Sequence, residues 1–178
     1  MATGPYPKTR FRRTKRTDAL RRLVRETSLS VDDMIWPVFV RDGLDDETPI
    51  DSMPGVSRLT VDRVVKAARH AADLGVPAIC LFPYIDTSMK TELCEEAWNP
   101  DNLSNRATRA IKDAVPEIAV MTDVALDPYN INGHDGIVRD GVIINDESVE
   151  ALVKMALQQA GAGADILGPS DMMDGRIG

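Results

Sequence analysis

Apolar residues gather in four short, nearly continuous runs, at 34–40 (MIWPVFV), 77–82 (PAICLF), 118–126 (IAVMTDVAL) and 164–167 (ADIL). Hydrophobicity that is continuous rather than alternating predicts strands buried on both faces, as in a parallel sheet. Between the runs the spacing changes to three and four. Thr60 is a potential N-cap for a helix that aligns Val61, Val64, Val65, Ala68 and Ala72, and Gly75 ends it. Ser104 predicts the start of a second helix, through Ile111 to the stop at Pro116. Asn145 or Asp146 starts a third, with Val149, Leu152, Val153, Ala156, Leu157 and Ala160 on one face before Gly161 and Gly163. A shorter helix from Thr17 to Thr27 brings Leu20, Leu23 and Val24 together.

The predicted order is a leading segment and then β-α-β-α-β-α-β. Strands joined by helices in this way make either a doubly wound sheet or a (β/α)₈ barrel. The glycine-rich phosphate turns GxGxxG and GxxxxGKS, expected early in a doubly wound fold, are absent. Polar residues cluster instead just after the third and fourth strands, where barrel enzymes keep their chemistry. A full barrel takes about 250 residues. The 178 residues therefore predict an α/β fold comprising the first four βα units of a (β/α)₈ (TIM) barrel. The expected division is an extended arm over 1–30 and half a barrel over 31–178. On that plan the first and fourth strands would be open edges, which proteins normally cover.

Charge adds a second feature. The chain carries −7, but residues 8–25 hold nine basic side chains against the single acid Asp18, a local +8 that leaves −15 elsewhere. Such an arm suits nucleic acid, a membrane surface or the acidic surface of a sister subunit. Tyr6 and Phe11 are its only aromatics, too few to stack a run of bases, which favours docking on protein. No apolar run reaches the roughly 20 residues that span a bilayer, and the N-terminus opens polar and basic, so a cytoplasmic protein is expected. The two cysteines, Cys80 and Cys94, form no CxxC pair and exclude a four-thiolate zinc site.

The densest polar constellation runs from Asp123 to Gly136 (DVALDPYNINGHDG). Asp123 ends an otherwise apolar strand, where a carboxylate is costly unless paired or hydrogen-bonded. It is either a functional acid or one satisfied by local backbone donors. Asp127, His134 and Asp135 follow on a loop, able to bind a hard divalent ion or position an amine, or simply to make the loop. After the fourth strand, Ser170 and Asp171 offer a hydroxyl and a carboxylate at the barrel mouth, or cap a following helix. No GxSxG elbow is present, which argues against serine hydrolysis.

These two stretches resemble the porphobilinogen synthase (5-aminolevulinate dehydratase) family. MTDVALDPYNINGHDGIV is similar to its third-strand loop, GPSDMMDGRIG to its fourth-strand segment, KTELCEEAWNPDNLSNRATRAIK to its EAWNPD connection, and RFRRTKRTDALRRLVRET to its arm. The resemblance implies a lyase of heme and tetrapyrrole biosynthesis that condenses two molecules of 5-aminolevulinate to porphobilinogen with loss of water, both held as Schiff bases on lysines of later strands. The six lysines here, Lys8, Lys15, Lys66, Lys90, Lys112 and Lys154, match neither of those, so residues 1–178 alone are expected to be inactive. It implies that Asp123 and Ser170 are catalytic and hold the substrate amino group, and that Asp171 and Phe82 bind substrate. Members that use zinc carry three cysteines where this chain has Ala125, Asp127 and Asp135. That substitution implies no zinc, and either magnesium at a subunit contact or no metal. It also implies a homo-octamer in which the arm wraps a neighbour, and neither nucleic acid nor membrane as a partner.

Overall fold

The computed structural model describes residues 4–5 and 7–178, so Tyr6 lies outside the described residues. The chain divides into two compact units, Met1–Asp33 and Met34–Gly178.

In the first unit a 3-10 turn, Phe11–Lys15, precedes helix α1 (Asp18–Leu23). Thr17 caps α1, its Oγ1 accepting the Leu20 N–H at 3.2 Å. The helix stops at Leu23 rather than continuing to Thr27. None of its residues is buried and Leu23 is 80% exposed, so within this unit no packing offsets the cost of further turns.

The second unit is built on strands β1 (Ile35–Arg41), β2 (Glu47–Pro49), β3 (Ser57–Thr60), β4 (Ala78–Pro83), β5 (Ala119–Asp123), β6 (Val138–Arg139), β7 (Val142–Ile143) and β8 (Ile166–Gly168). Helices α2 (Val61–Asp73), α3 (Leu103–Ala114) and α4 (Asn145–Gly161) connect them. Six strands form one sheet in the order β2-β3-β1-β4-β5-β8, and β6 and β7 make a separate hairpin. The β1–β4, β4–β5 and β5–β8 pairs are all parallel. One face packs against the helices: Val40, Ile79, Leu81 and Val120 are fully buried with Val64 and Ala68 of α2, Ile111 of α3 and Met155 of α4. Each such large side chain contributes about 1.5–3 kcal/mol relative to exposure. On the other face Phe39 and Phe82 lie ring to ring, 5.8 Å between centroids.

Four expectations need correction. The first strand is not an open edge throughout, because β3 pairs with its C-terminal half, Phe39–Arg41, and β2 pairs antiparallel with β3. Strands as short and polar as ETP and SRLT carry too little hydrophobic signal to stand out. Asn102, not Ser104, caps α3: its Oδ1 accepts the Asn105 N–H at 2.9 Å while its Nδ2 donates to Ala97 O at 2.9 Å. The fourth strand begins two residues later than expected, since Asp165 points its carboxylate at the Val120 N–H (2.8 Å) and Lys112 Nζ (2.9 Å). Thr60 does stand at the start of α2, but its hydroxyl bonds Asp62 Oδ1 (2.8 Å) rather than capping the helix.

Candidate active site

Asp123 is the last residue of β5 and pairs in register with Gly168, the last residue of β8. The β8 chain then turns tightly, Ser170 N–H bonding Gly168 O at 2.9 Å, so Ser170 comes back over the end of β5. Its Oγ donates to Asp123 Oδ1 at 2.5 Å. Asp123 is half-buried and Ser170 exposed, so the pair sits at the C-terminal rim of the sheet, open on one side. Burial raises the Asp123 pKa above the usual carboxylate range; the Ser170 hydroxyl pulls it down, and the charges of Asp135 and Asp171 push it up.

The backbone of Asp123 is fixed from behind. Gln159 of α4 donates through Nε2 to Asp123 O at 2.8 Å and accepts from Thr122 Oγ1 through Oε1 at 2.8 Å. Both Gln159 and Thr122 are fully buried.

Past Asp123 the chain leaves the strand earlier than the apolar run 118–126 suggests. Leu126 O instead accepts the N–H groups of Tyr129 (2.9 Å) and Asn130 (3.0 Å), starting a turn. Buried Asn130 then ties the loop together, its Nδ2 donating to Gly136 O (2.6 Å) and its Oδ1 accepting Asn132 N–H (2.7 Å). Gly136 has φ of +97°, and a Cβ there would meet Ser148, Ile143 and Met173 at 3.0–3.1 Å, so only glycine fits without displacement.

This knot decides which loop residues face the site. Asp135 is half-buried, and its charge is felt at Asp123, Asp127 and Asp171. Asp127 stands at the surface, its pKa raised by partial desolvation and then by Asp135 and Asp123. His134 is exposed and makes no contact that draws it to Asp123. Among the described residues, no three His, Cys, Asp or Glu side chains are arranged to hold one metal ion. Asp127, His134 and Asp135 are therefore brought to one loop but not into a chelate.

Asp171 differs from its neighbour Ser170. It is fully buried, its Oδ1 accepts the Met173 N–H at 3.0 Å, and its Oδ2 has no hydrogen-bond partner. Burial and the Asp135 charge raise its pKa. Neither it nor Ser170 caps a helix, because residues 171–178 contain no helix, only a turn over 174–177. Phe82 lies on β4 next to Asp123, since Leu81 pairs with Thr122 in the preceding rung. Gln159 and Asn130 are the site residues that motif reading passed over. Gln159 could have been noticed as a polar residue within the helical stretch that otherwise supplies an apolar face.

An acid–hydroxyl pair at the C-terminal ends of neighbouring parallel strands is the arrangement expected of a barrel mouth. Comparison with known proteins gives it a family. The family model described as delta-aminolevulinic acid dehydratase matches residues 8–178. The chain belongs to the delta-aminolevulinic acid dehydratase family. It is 58% identical over 178 residues to a delta-aminolevulinic acid dehydratase of Rhodobacter capsulatus, covering 100% of this chain and 54% of that protein. It is 54% identical to one of Bradyrhizobium diazoefficiens, covering 94% of this chain and 48% of that protein. The crystal structure of the Toxoplasma gondii enzyme, delta-aminolevulinic acid dehydratase (porphobilinogen synthase) in complex with the reaction product porphobilinogen, superposes with a TM-score of 0.90 at 44% identity. That match covers 95% of this chain and 48% of that one. The chain thus spans about half the length of the family members it matches, and its mostly parallel sheet is part of their barrel.

Proposed function

We propose that the complete protein is a porphobilinogen synthase, joining two molecules of 5-aminolevulinate with loss of water, and that residues 1–178 supply its amine-recognition wall. The Asp123–Ser170 pair carries this reading. A carboxylate beside a hydroxyl fixes a substrate ammonium in direction as well as in place. Asp123 holds the ammonium while ionised. Its raised pKa then suits it to take a proton from the same nitrogen, freeing the lone pair that must attack during ring closure. Phe82, with Phe39 against it, gives that nitrogen's carbon chain an apolar floor. Asp171 stands behind the pocket rather than acting as a direct ligand, since it has no exposed surface.

Schiff-base chemistry needs a lysine that is neutral at working pH. Lys66 is ion-paired with Asp45, Lys112 with Asp165, and Lys154 lies over the Trp98 ring at 5.4 Å, all on the helices. The reading therefore takes the Schiff-base lysines from outside residues 1–178. It takes no step through a metal and assigns no zinc, because Ala125, Asp127 and Asp135 stand where the zinc-using members carry cysteines. It also takes the arm as the element that docks on a sister subunit of a homo-oligomer, an octamer as the family resemblance implies, in the cytoplasm. No helix is long and apolar enough to cross a membrane among the described residues.

Porphobilinogen formation from 5-aminolevulinate by the complete protein, followed colorimetrically, tests the proposal. Wild type should be active and Asp123→Asn should lose at least about a hundredfold in kcat, the scale of one general acid–base group. Equal activity of the two would overturn it.

A further inference from the structure

We infer that Gln159 is a positioning residue, which aims the Asp123 carboxylate at Ser170 by holding the carbonyl of the same residue. The inference rests on the proposed role of Asp123.

The geometry is specific. Asp123 is at the point where β5 ends, and Val124 N–H is its last ladder bond, to Gly168 O at 3.0 Å. That bond holds the N–H end of the peptide leaving Asp123, and its tilt is fixed only when the carbonyl end is held as well. Here the holder is Gln159 Nε2 at 2.8 Å. The carbonyl can only accept, so it fixes which end of the amide faces Asp123, and Thr122 Oγ1 donates to the other end, Oε1, at 2.8 Å. Thr122 and Asp123 are successive residues, so their side chains point to opposite faces of the sheet. Thr122 and Gln159 belong to the helix side, fully buried; Asp123 and Ser170 belong to the open side. The amide thus joins the core to the site through one peptide group.

Burying an amide is costly unless both ends are bonded. A helix face that needed only to pack would be served by leucine or methionine, as at Leu152 and Met155 of the same helix, both buried. What glutamine adds is a directed donor at the one carbonyl whose rotation swings the carboxylate away from Ser170.

The test uses the complete protein with Gln159→Leu, Gln159→Glu and, as a control for loosened packing of α4, Met155→Ala. Gln159→Leu should lower kcat for porphobilinogen formation at least tenfold with KM changed less than threefold. Its crystal structure should show Ser170 Oγ and Asp123 Oδ1 more than 3.5 Å apart. Gln159→Glu should recover toward wild type as pH falls, because the protonated acid regains a donor for the carbonyl, whereas Gln159→Leu should not. Met155→Ala should lower thermal stability while keeping kcat within threefold. An intact Ser170–Asp123 bond in Gln159→Leu would overturn the inference, as would a Met155→Ala loss as deep as that of Gln159→Leu. A wild-type protein that makes no porphobilinogen would instead sink the proposed function. The crystallographic distance would still decide whether Gln159 aims Asp123.

Discussion

Asp123 and Ser170, 47 positions apart in sequence, share a 2.5 Å hydrogen bond across the ends of two neighbouring parallel strands. The bond is charge-assisted and on the open side of the sheet, so its removal is read in chemistry before it is read in stability.

Ser170→Ala should therefore reduce kcat/KM by about ten- to a hundredfold, and should also move the pH profile. The hydroxyl lowers the Asp123 pKa against the upward push of burial and of Asp135 and Asp171. Without it the carboxyl holds its proton to higher pH. The acid limb of kcat/KM in the complete protein should shift upward, and a limb that stayed in place would show that Asp123 is not the group titrating there.

Asp171 gives a stability prediction of definite sign. Its folded pKa is raised above the usual 3.8, chiefly by burial, and Oδ2 is unpartnered. The folded chain thus binds this proton more tightly than the unfolded chain. Wild-type stability falls as pH rises from about 3.8 through the raised value. Asp171→Asn, which keeps an oxygen for the Met173 N–H, should be more stable than wild type at pH 7 by ~1–2 kcal/mol, with the gain vanishing near pH 3.5. Melting curves at the two pH values would show it, and a variant destabilised equally at both would refute it.

Zinc removal should leave the complete protein active. Asp127 and Asp135 offer hard oxygen donors, and Cys80 and Cys94 are buried thiols with pKa values pushed up to about 11 and about 12, chiefly by burial. Activity measured after 1,10-phenanthroline should match the untreated enzyme. Treatment with EDTA, with magnesium added back, separates a magnesium requirement from none.

Deleting Met1–Asp33 should lower the number of subunits per particle that sedimentation gives for the complete protein. Phe11, Leu23 and Val24 of that unit are exposed apolar groups among basic ones, and burying them against a neighbour would stabilise an assembly. An unchanged subunit number, together with steeply salt-dependent binding of duplex DNA by the intact protein, would favour the nucleic-acid reading.

The four apolar runs and three long helices were legible because burial on both faces of a parallel sheet leaves continuous hydrophobicity, and burial of one helix face leaves a period. Asp123 stood out because it breaks such a run. What could not be read depends on partners distant in sequence. Ser104 and Asn102 are both competent caps, and the choice fell to Asn102 because its amide also reaches Ala97 O. The β2–β3 hairpin is held by pairing with β1 rather than by its own apolar content. Gln159 looked like one polar residue on a helix until the strand it faces was known. The roles of Asp123 and Ser170 came from family resemblance; the sequence alone left Asp123 open between function and local satisfaction.

Partial pairing of β3 along β1 has a practical side. The distal bend around Met53–Gly55 is solvent-exposed, with Gly55 at φ of +82°, and it lines one cavity with Trp36 and Phe39 of β1. A fluorophore attached there would stand beside Phe39, and its emission would respond to whatever occupies that face of the sheet.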